Sequence, residues 1–403
     1  MLPISERFCV DLASFHFSLS LLCIMICLLK AMKAYILSFR MVSKAKQNDS
    51  SSHGVASNSP RSDSEIIEFV SNDAYRTLRR LEAGEEGPLT ISTSKSTGTI
   101  LVIKTVQLRQ SKYFEAQDGG RRKPLPNEAR ILLSRLGRHP NIVRLFAAEP
   151  SPKSPIQYNL FLEYCSGGDL LDQLKAFRAA GHAVPPMFTL HVVTSVAHAL
   201  AYIHHGLRRT GSSNYSRTPK HAPIIHGDIK PDNIFLRWPG KQECGMPDIV
   251  LADFGMSQVA SESWGFSGTE GYDSPEVHAI TSLRYKDPPA YRRTKNARIM
   301  STKSDVYQLG LVMYLMATGR GWETGADPQT LEVPERYRRI VGIIALLVWL
   351  LQPLAKNRPD CSADYEDGLL LAARSLEKRR DQMYRERGPL RRSVWNITDM
   401  NGG

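Results

Sequence analysis

The feature that most constrains this chain is the polar segment from residue 226 to residue 233, with the sequence His-Gly-Asp-Ile-Lys-Pro-Asp-Asn. Twenty residues after its asparagine, the chain carries the tripeptide Asp253-Phe254-Gly255. Together the two segments contain the groups that transfer of a phosphoryl group to a hydroxyl requires. A carboxylate must accept or orient the proton, a cation must neutralise the transferring group, and oxygen ligands must hold a metal ion against the phosphates.

Each of these requirements is matched by a side chain in the two segments. Asp228 can act as the carboxylate and Lys230 as the cation. Asn233 and Asp253 can hold Mg²⁺ through their oxygen atoms, which are the ligands that this cation prefers. A tripeptide such as Asp-Phe-Gly occurs by chance in long chains and indicates little by itself. The two segments together, in this order, are a specific signal.

The pattern of apolar residues predicts strands first and helices later. β-Branched and polar residues alternate from 89 to 106, which predicts a hairpin of two strands. Apolar residues recur at three- and four-residue spacing from 127 to 136 and from 191 to 205, which predicts helices. This order favours a chain of the α+β class with two lobes.

The polar segment and the tripeptide resemble the catalytic loop and the metal-binding tripeptide of the eukaryotic protein kinase family. The resemblance implies a two-lobed protein-kinase-like fold, with a small β-rich N-lobe and a larger helical C-lobe. It also implies ATP and Mg²⁺ as cofactors and a protein hydroxyl as the phosphate acceptor. Lys230 after Asp228, together with Thr269, is similar to the serine/threonine members of the family rather than to the tyrosine kinases.

Residues before the catalytic loop resemble the nucleotide-binding elements of this family. Lys104 occupies the place of the third-strand lysine that holds the α- and β-phosphates, and Glu128 that of the helix glutamate that pairs with it. The stretch 81–89 lies where the glycine-rich phosphate loop belongs, but it is degenerate, since Glu82 replaces the first glycine. The resemblance assigns ATP contacts in this stretch to three residues: Gly84, Gly87 and Leu89.

The segment from residue 161 to residue 170 resembles the hinge between the two lobes. By this resemblance, the backbone of Glu163 and of Cys165 binds the adenine. Leu162 closes the pocket behind the adenine, and Asp169 reaches the ribose. These contacts complete the ATP site that the resemblance implies.

Three further residues resemble structural contacts of the family's C-lobe. Residues 268–276 are similar to the end of the activation segment, and Glu276 in this stretch would pair with Arg358. A buried carboxylate needs such a partner, and both residues are present. Asp305 resembles the aspartate that braces the catalytic loop from a central helix.

Gly227 stands where kinases usually carry an arginine before the catalytic aspartate. In kinases with that arginine, a phosphate on the activation loop pairs with it and orders the loop. Glycine offers no cation, so we expect activity that does not depend on phosphorylation of the loop. Because glycine adds backbone freedom, a loosened loop and a low basal rate are also expected.

The first 64 residues form two segments outside the predicted kinase domain. Residues 1–42 are largely apolar and contain no charged side chain from 12 to 29. Two interpretations remain open: an anchor that associates with a membrane through residues 12–29 and keeps the kinase domain cytoplasmic, or a mispredicted start upstream of Met41. Residues 43–64 include eight serines, which predicts a disordered linker.

The kinase domain is expected at residues 65–373. Within it, the N-lobe is predicted at about 75–162 and the C-lobe at about 170–373. Residues 374–403 carry many arginine and lysine side chains, which predicts a basic C-terminal tail.

The net charge of +12 is concentrated in tails and loops. Two of the basic stretches, 208–223 and 283–302, are insertions that predict either solvated loops or a surface for acidic substrates. No aromatic ladder or known nucleic-acid module accompanies the charge, so no nucleic-acid partner is expected. The six cysteines lack the spacing of a disulfide framework or a zinc cluster, which predicts a reducing compartment.

Two other functions remain open from the residues alone. The degenerate phosphate loop and the acidic pair Glu85-Glu86 at its tip favour a pseudokinase scaffold with weak or no catalysis. The His-Gly-Asp sequence also resembles small-molecule phosphotransferases of the aminoglycoside or choline kinase kind, but these lack the 268–276 segment and the Arg358 partner. Because every predicted catalytic and metal-binding side chain is retained, an active protein kinase is favoured, with a protein substrate that the sequence does not identify.

Overall fold

The computed structural model describes residues 74–84, 87–108, 125–152, 154, 156–211, 214–238, 245–263, 265–266, 268–362, 368–388, 390 and 395. The predicted anchor and the serine-rich linker lie outside the described residues, and so does the acidic pair Glu85-Glu86. Within the described ranges the chain folds into a β-rich N-lobe and a helical C-lobe, which confirms the predicted fold class.

Five antiparallel strands form the N-lobe sheet, in the order β1-β2-β3-β5-β4. Their bounds are β1 Tyr75–Gly84, β2 Gly87–Ser94, β3 Ile100–Gln107, β4 Leu145–Pro150 and β5 Gln157–Glu163. Strands β2 and β3 form the hairpin that the alternating pattern predicts. Lys104 and Val106, two residues apart on β3, lie on the same face and are buried, so the predicted ATP-binding lysine faces the interior.

A short helix, α1, lies between β3 and β4 in the chain. It begins with an α-helical turn at Asn127–Ala129 and continues as a wider, π-helical turn at Arg130–Arg135. Glu128 is buried with the apolar residues Ile131 and Leu132. The helix therefore carries a carboxylate on its buried side.

The C-lobe helices surround two long helices whose side chains are almost all buried. Their bounds are α2 Leu170–Ala179, α3 Pro186–His205, α4 Pro275–Thr281, α5 Leu283–Lys286, α6 Pro288–Thr294, α7 Thr302–Thr318, α8 Glu335–Arg338, α9 Ile343–Leu350 and α10 Leu369–Arg387. Helices α3 and α7 form the core. Each ends at a left-handed glycine, Gly206 after α3 and Gly319 after α7, where other residues would be strained.

Among the described residues, one helix is long and apolar enough to cross a membrane, and this helix is α3. In its most apolar stretch of 18 residues, 94% of the residues are buried inside the protein. Its apolar composition is therefore that of a core helix.

Pairs of short strands hold the polar segments of the C-lobe. These are β6 Leu207–Arg209 with β7 Tyr215–Arg217, β8 Ile224–Ile225 with β11 Gln258–Val259, and β9 Ile234–Arg237 with β10 Asp248–Leu251. The catalytic loop runs from β8 to β9, and the Asp-Phe-Gly tripeptide lies between β10 and β11. Because Ile234 pairs with Leu251, the start of β9 lies beside the end of β10 and brings the two polar segments together.

Helix α10 continues the C-lobe past the boundary predicted at residue 373, so the predicted tail at 374–403 begins inside this helix. The helix packs against α3 through apolar side chains at helical spacing. The buried members of this stripe are Leu369, Leu370, Ala373, Leu376 and Met383. Basic residues lie between these positions and dominate the composition of residues 374–387. The spacing of the apolar residues nevertheless lets the segment fold as a helix on α3.

The insertion at 208–223 packs against the C-lobe instead of extending into solvent. Its strands β6 and β7 form a hairpin. The Arg208 guanidinium lies over the ring of Tyr202 on α3, 4.3 Å from the ring centre. Arg209 Nη1 donates a hydrogen bond to Glu377 of α10 at 2.9 Å. The insertion therefore connects α3 to α10.

We expect the Glu377 carboxylate to contribute to the free energy of unfolding in a pH-dependent way. His198 Nε2 on α3 lies 3.0 Å from Glu377 Oε1. Burial alone would raise the pKa of this carboxyl, but His198 and Arg209 outweigh burial and lower the pKa from 4.5 to about 2. Since folding favours the ionised form, its contribution is complete above pH 4.5 and is lost as the pH falls toward 2. We expect Glu377→Gln to lower the free energy of unfolding at neutral pH and to match the wild type at the acid end of this range.

Urea unfolding of the two proteins across this pH range measures the difference. Glu335→Gln is the matched control, because Glu335 pairs with Arg339 on the exposed surface, where an ion pair contributes little. A difference between Glu377→Gln and the wild type that stays constant as the pH falls would contradict this role of the carboxylate.

Candidate active site

The backbone of the catalytic loop is held by a buried carboxylate on helix α7. Asp305 is fully buried, and its two oxygens accept hydrogen bonds from the backbone N–H groups of His226 and Gly227, each at 2.8 Å. His204 Nε2 on α3 lies 2.8 Å from the same carboxylate. The structure therefore places Asp305 in the bracing position that the sequence predicts.

A second residue of α7, Gln308, also holds the loop and is missing from the sequence prediction. Its Oε1 accepts a hydrogen bond from the Ile229 N–H at 3.0 Å, and its Nε2 donates to the Gly227 carbonyl at 3.1 Å. Gln308 lies three residues after Asp305, so both side chains leave the same face of the helix. The three-residue spacing from Asp305 is the sequence feature from which Gln308 could have been predicted.

Asp228 and Lys230 lie in contact, as phosphoryl-transfer chemistry requires. Lys230 Nζ is 3.1 Å from Asp228 Oδ2. Thr269 joins the two, because its hydroxyl donates to Asp228 Oδ1 at 2.8 Å and accepts from Lys230 Nζ at 2.5 Å. Asn233 Nδ2 donates to Asp228 Oδ2 at 2.9 Å. The Asp228 carboxylate is thus oriented by three neighbours, one of which, Thr269, belongs to the activation segment.

Lys104, Glu128 and Asp253 form the second charged group of the site. Lys104 Nζ lies 2.9 Å from Glu128 Oε2 and 3.0 Å from Asp253 Oδ1. Lys104 and Glu128 are both buried. Glu128 Oε1 also accepts a hydrogen bond from the Phe254 N–H at 3.4 Å. The Lys104 ammonium group therefore connects strand β3 to helix α1 and to the Asp-Phe-Gly tripeptide.

Asp253 takes a backbone conformation that residues other than glycine usually avoid, with φ 61° and ψ 73°. Its side chain accepts a hydrogen bond from the Gly255 N–H at 3.3 Å. Burial would raise the pKa of the Asp253 carboxyl, but the Lys104 ammonium outweighs burial and lowers the pKa. Asp253 is therefore held in the ionised form that a metal ion requires.

Asn233 and Asp253 suit a hard divalent cation. Asn233 directs its amide nitrogen to Asp228, so its amide oxygen is the atom that can bind a cation. Within the ranges that the structure describes, no three His, Cys, Asp or Glu side chains form a metal site by themselves. The chain supplies a carboxylate and an amide oxygen, and phosphate and water would supply the other ligands, which is the usual arrangement for Mg²⁺.

The two glycines of the predicted phosphate loop are ladder partners at the end of β1 and the start of β2. Gly84 is the ladder partner of Gly87. Gly87 has φ 143°, and a Cβ atom at this position would lie 2.1 Å from the backbone oxygen of Thr105. Only glycine permits this close approach of β2 to β3. Leu89, the third residue assigned to the loop, pairs with Lys104 in the next ladder.

Glu163, Cys165 and Asp169 lie where β5 leads into α2. The Glu163 side chain is buried and pairs with Arg237 at 3.0 Å, and its backbone N–H donates a hydrogen bond to the Arg144 carbonyl at 2.9 Å. Burial raises the pKa of the Cys165 thiol. Asp169 caps α2 by accepting a hydrogen bond from the Asp172 N–H at 2.8 Å, and burial raises its pKa to about 6. The adenine contacts and the ribose contact of Asp169 stay predictions.

Glu276 and Arg358 meet as the sequence predicts. Two parallel hydrogen bonds join them, from Nη1 to Oε1 at 2.8 Å and from Nη2 to Oε2 at 2.7 Å. Ser304 of α7 donates a further hydrogen bond to Glu276 at 2.8 Å. Burial would raise the pKa of Glu276, but Arg358 outweighs burial and lowers it. These contacts attach the end of the activation segment to α7.

Gly227 takes a left-handed backbone conformation, with φ 83°. Asp305 binds its N–H and Gln308 binds its C=O. These two hydrogen bonds restrain the loop at this residue, and the loosened loop and low basal rate expected from glycine stay predictions. We expect Gly227→Ala to lower the free energy of unfolding by about 1–2 kcal/mol, because a side chain strains this conformation.

Urea unfolding measures this loss of stability. Gly211→Ala is the matched control, because the φ of Gly211 lies outside the left-handed range and nothing lies within 4 Å of an added Cβ atom. Equal losses in the two variants would show that the left-handed backbone at position 227 carries no special cost.

Comparison with known proteins agrees with this arrangement. The family model of the protein kinase domain matches residues 75–362. The serine/threonine-protein kinase Nek1 of Toxoplasma gondii is 29% identical over 300 residues, which cover 71% of this chain and 16% of that protein. The G2-specific protein kinase nimA of Emericella nidulans is 28% identical over 62% of this chain and 33% of that protein.

The serine/threonine-protein kinase Nek2 of Homo sapiens is also similar, at 28% identity over 60% of this chain and 45% of that protein. This chain therefore spans less than half the length of these three relatives. The match to the family model includes the whole N-lobe sheet, the catalytic loop and both ends of the activation segment. Because the match extends across both lobes and includes every residue of the assembled site, the chain belongs to the protein kinase family.

Proposed function

We propose that this chain is an active serine/threonine kinase, which transfers the γ-phosphate of ATP to a hydroxyl group of a protein substrate. The observation that carries this proposal is the mutual contact of Asp228, Lys230 and Thr269. A carboxylate held beside an ammonium group meets the needs of the attacking hydroxyl and of the transferring phosphoryl group. The similarity to proteins named serine/threonine-protein kinases supports a protein hydroxyl as the acceptor.

Each catalytic side chain has one task in this reaction. The Asp228 carboxylate accepts a hydrogen bond from the incoming hydroxyl and takes its proton as the oxygen attacks. The Lys230 ammonium offsets negative charge on the transferring oxygens. Thr269 binds both groups, so the alignment of the catalytic pair is coupled to the position of the activation segment.

The nucleotide would be held by the second charged group. The Lys104 ammonium, positioned by Glu128, would contact the α- and β-phosphates. Asn233 and Asp253 would hold Mg²⁺, which when bound offsets the negative charge of the phosphates. Because Lys104 lies 3.0 Å from Asp253, the residues that bind phosphate and those that bind the cation are adjacent.

The contact between Glu276 and Arg358 favours a protein kinase over a small-molecule phosphotransferase. Both residues belong to segments that the aminoglycoside and choline kinase kind lack, and in this chain they form a bidentate ion pair. The pair attaches the activation segment to the C-lobe. An ordered activation segment supports a protein acceptor as the substrate class.

We expect Asp228→Asn to lower kcat by at least about a hundredfold, because the amide keeps the shape of the side chain but cannot take a proton. The dissociation constant for ATP should stay within about threefold of the wild type, since the residue orients the acceptor and does not hold the nucleotide. Transfer of labelled phosphate from ATP to casein, together with nucleotide titration, measures both quantities.

Asp381→Asn is the matched control for Asp228→Asn, because Asp381 is half exposed and pairs with Arg380 on α10. It should leave kcat unchanged. If the wild type and Asp228→Asn transfer phosphate at the same rate, Asp228 is not the catalytic carboxylate. If the wild type transfers none, the pseudokinase alternative replaces this proposal.

We expect Asp253→Ala to abolish the Mg²⁺-dependent part of ATP binding, because the variant loses the charged oxygen ligand. Asp253→Asn keeps an oxygen ligand and tolerates the left-handed backbone, so it should retain part of this binding. The thermal shift produced by ATP, measured with Mg²⁺ and with EDTA, reports the effect. A wild-type protein whose shift is the same in Mg²⁺ and in EDTA contradicts the metal site.

A further inference from the structure

The activation segment, residues 253–276, needs an anchor other than the arginine that binds a loop phosphate in many kinases, because Gly227 occupies that position. We propose that Glu262 replaces the phosphate. Its carboxylate, bound to Arg130 and Arg135 of helix α1, holds the segment and the helix in the arrangement that the active site requires. This inference deepens the proposed kinase function and names how that site is kept ordered.

Two guanidinium groups approach the Glu262 carboxylate from the same helix. Arg130 Nη1 lies 3.5 Å from Glu262 Oε2, and Arg135 Nη2 lies 3.4 Å from Glu262 Oε1. Each carboxylate oxygen therefore has its own arginine. This arrangement of one carboxylate and two arginines is similar to the arrangement in which a cluster of basic residues binds a phosphate on a loop.

The π-helical turn of α1 explains why both arginines face the segment. Arg130 and Arg135 are five residues apart, and in a regular α-helix such residues would point about 140° away from each other. In this turn the Leu136 N–H bonds to the Ile131 carbonyl, five residues earlier, at 2.9 Å. Hydrogen bonds with this spacing widen the turn, which brings residues five apart to one side.

The pair is partly shielded from water, which distinguishes it from an exposed ion pair. Arg130 Nη1 and Glu262 Oε2 are both buried atoms. The Arg130 side chain is 17% exposed, that of Glu262 34% and that of Arg135 39%. Shielded charges are screened less by salt than exposed ones. The Arg130 half of the contact is therefore screened less than the more exposed Arg135 half.

Contacts of α1 connect Glu262 to the catalytic residues. Arg130 Nη2 donates a hydrogen bond to Asn127 Oδ1 at 3.0 Å. Asn127 Nδ2 in turn donates to the carbonyl oxygens of Gly255 at 3.0 Å and Ser257 at 2.8 Å. The same helix carries Glu128, which pairs with Lys104, so one helix binds both the start of the segment and residue 262.

The basic insertion at 283–302 holds the segment from another direction. Arg298 Nη2 donates a hydrogen bond to the Ser261 carbonyl at 3.1 Å. The Phe266 ring packs edge-on to the Tyr291 ring, with 6.1 Å between the ring centres. Glu262 thus lies in a part of the segment that neighbours restrain on both sides. A permanent carboxylate at this position provides order without a modifying enzyme.

We expect Glu262→Gln to lower kcat by about threefold to tenfold, because the neutral amide binds arginine more weakly and allows α1 and the segment to separate. Arg135→Gln should lower kcat in the same range. The double variant should fall no further than Glu262→Gln, since the arginine has already lost its partner. Phosphatase treatment of the wild type should leave kcat unchanged. Phosphate transfer to casein gives all four values.

Glu335→Gln is the matched control, because it removes a glutamate that pairs with Arg339 at 3.1 Å on the exposed surface. It should retain wild-type kcat. If the wild type is active, a kcat of Glu262→Gln equal to that of Glu335→Gln overturns the inference. Additive losses in the double variant, or a loss of more than about tenfold on phosphatase treatment, also overturn it.

Hydrogen exchange separates this inference from the proposed function, because it needs no catalysis. Amides of residues 254–262 should exchange faster in Glu262→Gln than in the wild type, while those of α7 exchange at the same rate. If the wild type is inactive but this difference is present, the kinase proposal fails and the role of Glu262 stands. If exchange is equal in the two proteins, the role of Glu262 fails whatever the activity.

Discussion

The carboxylate of Asp305 is the group on which the geometry of the catalytic loop depends. A charged side chain with no exposure to solvent is stable only where hydrogen bonds replace water, and here two backbone N–H groups of the loop do so. The need to satisfy this buried charge determines the backbone at residues 226 and 227. The same backbone then directs Asp228 toward Lys230. Helix α7 is mostly buried, so the carboxylate is attached to a rigid part of the C-lobe.

Helix α1 has a corresponding role in the N-lobe, because four of its side chains contact different parts of the site. Glu128 pairs with Lys104, Asn127 binds the backbone after the Asp-Phe-Gly tripeptide, and the two arginines reach Glu262. A displacement of this short helix would break these contacts together. The position of the activation segment and the position of Lys104 are therefore coupled through a single element.

The candidate catalytic side chains could be proposed from the sequence because their chemistry is local. Asp228, Lys230 and Asn233 lie in one short loop, and their residue types and order are enough to suggest their roles. The residues that hold this loop could not be predicted equally well. Gln308 and Asn127 are ordinary amides in the sequence, and their functions depend on which backbone groups they face after folding. The apolar stripe of α10 was present in the sequence, but the basic residues around it suggested a tail.

By itself, the sequence determined which chemical groups the protein has, their order along the chain, and the backbone freedom available at Gly227. Only the tertiary structure decided which distant groups meet. Arg209 and Glu377 are separated by 168 residues and yet form a hydrogen bond. This contact attaches the insertion at 208–223 to helix α10, so both pack as parts of the C-lobe. The physical reason is that a charged contact depends on the distance between its atoms and on their exposure to water, and neither quantity follows from separation along the chain.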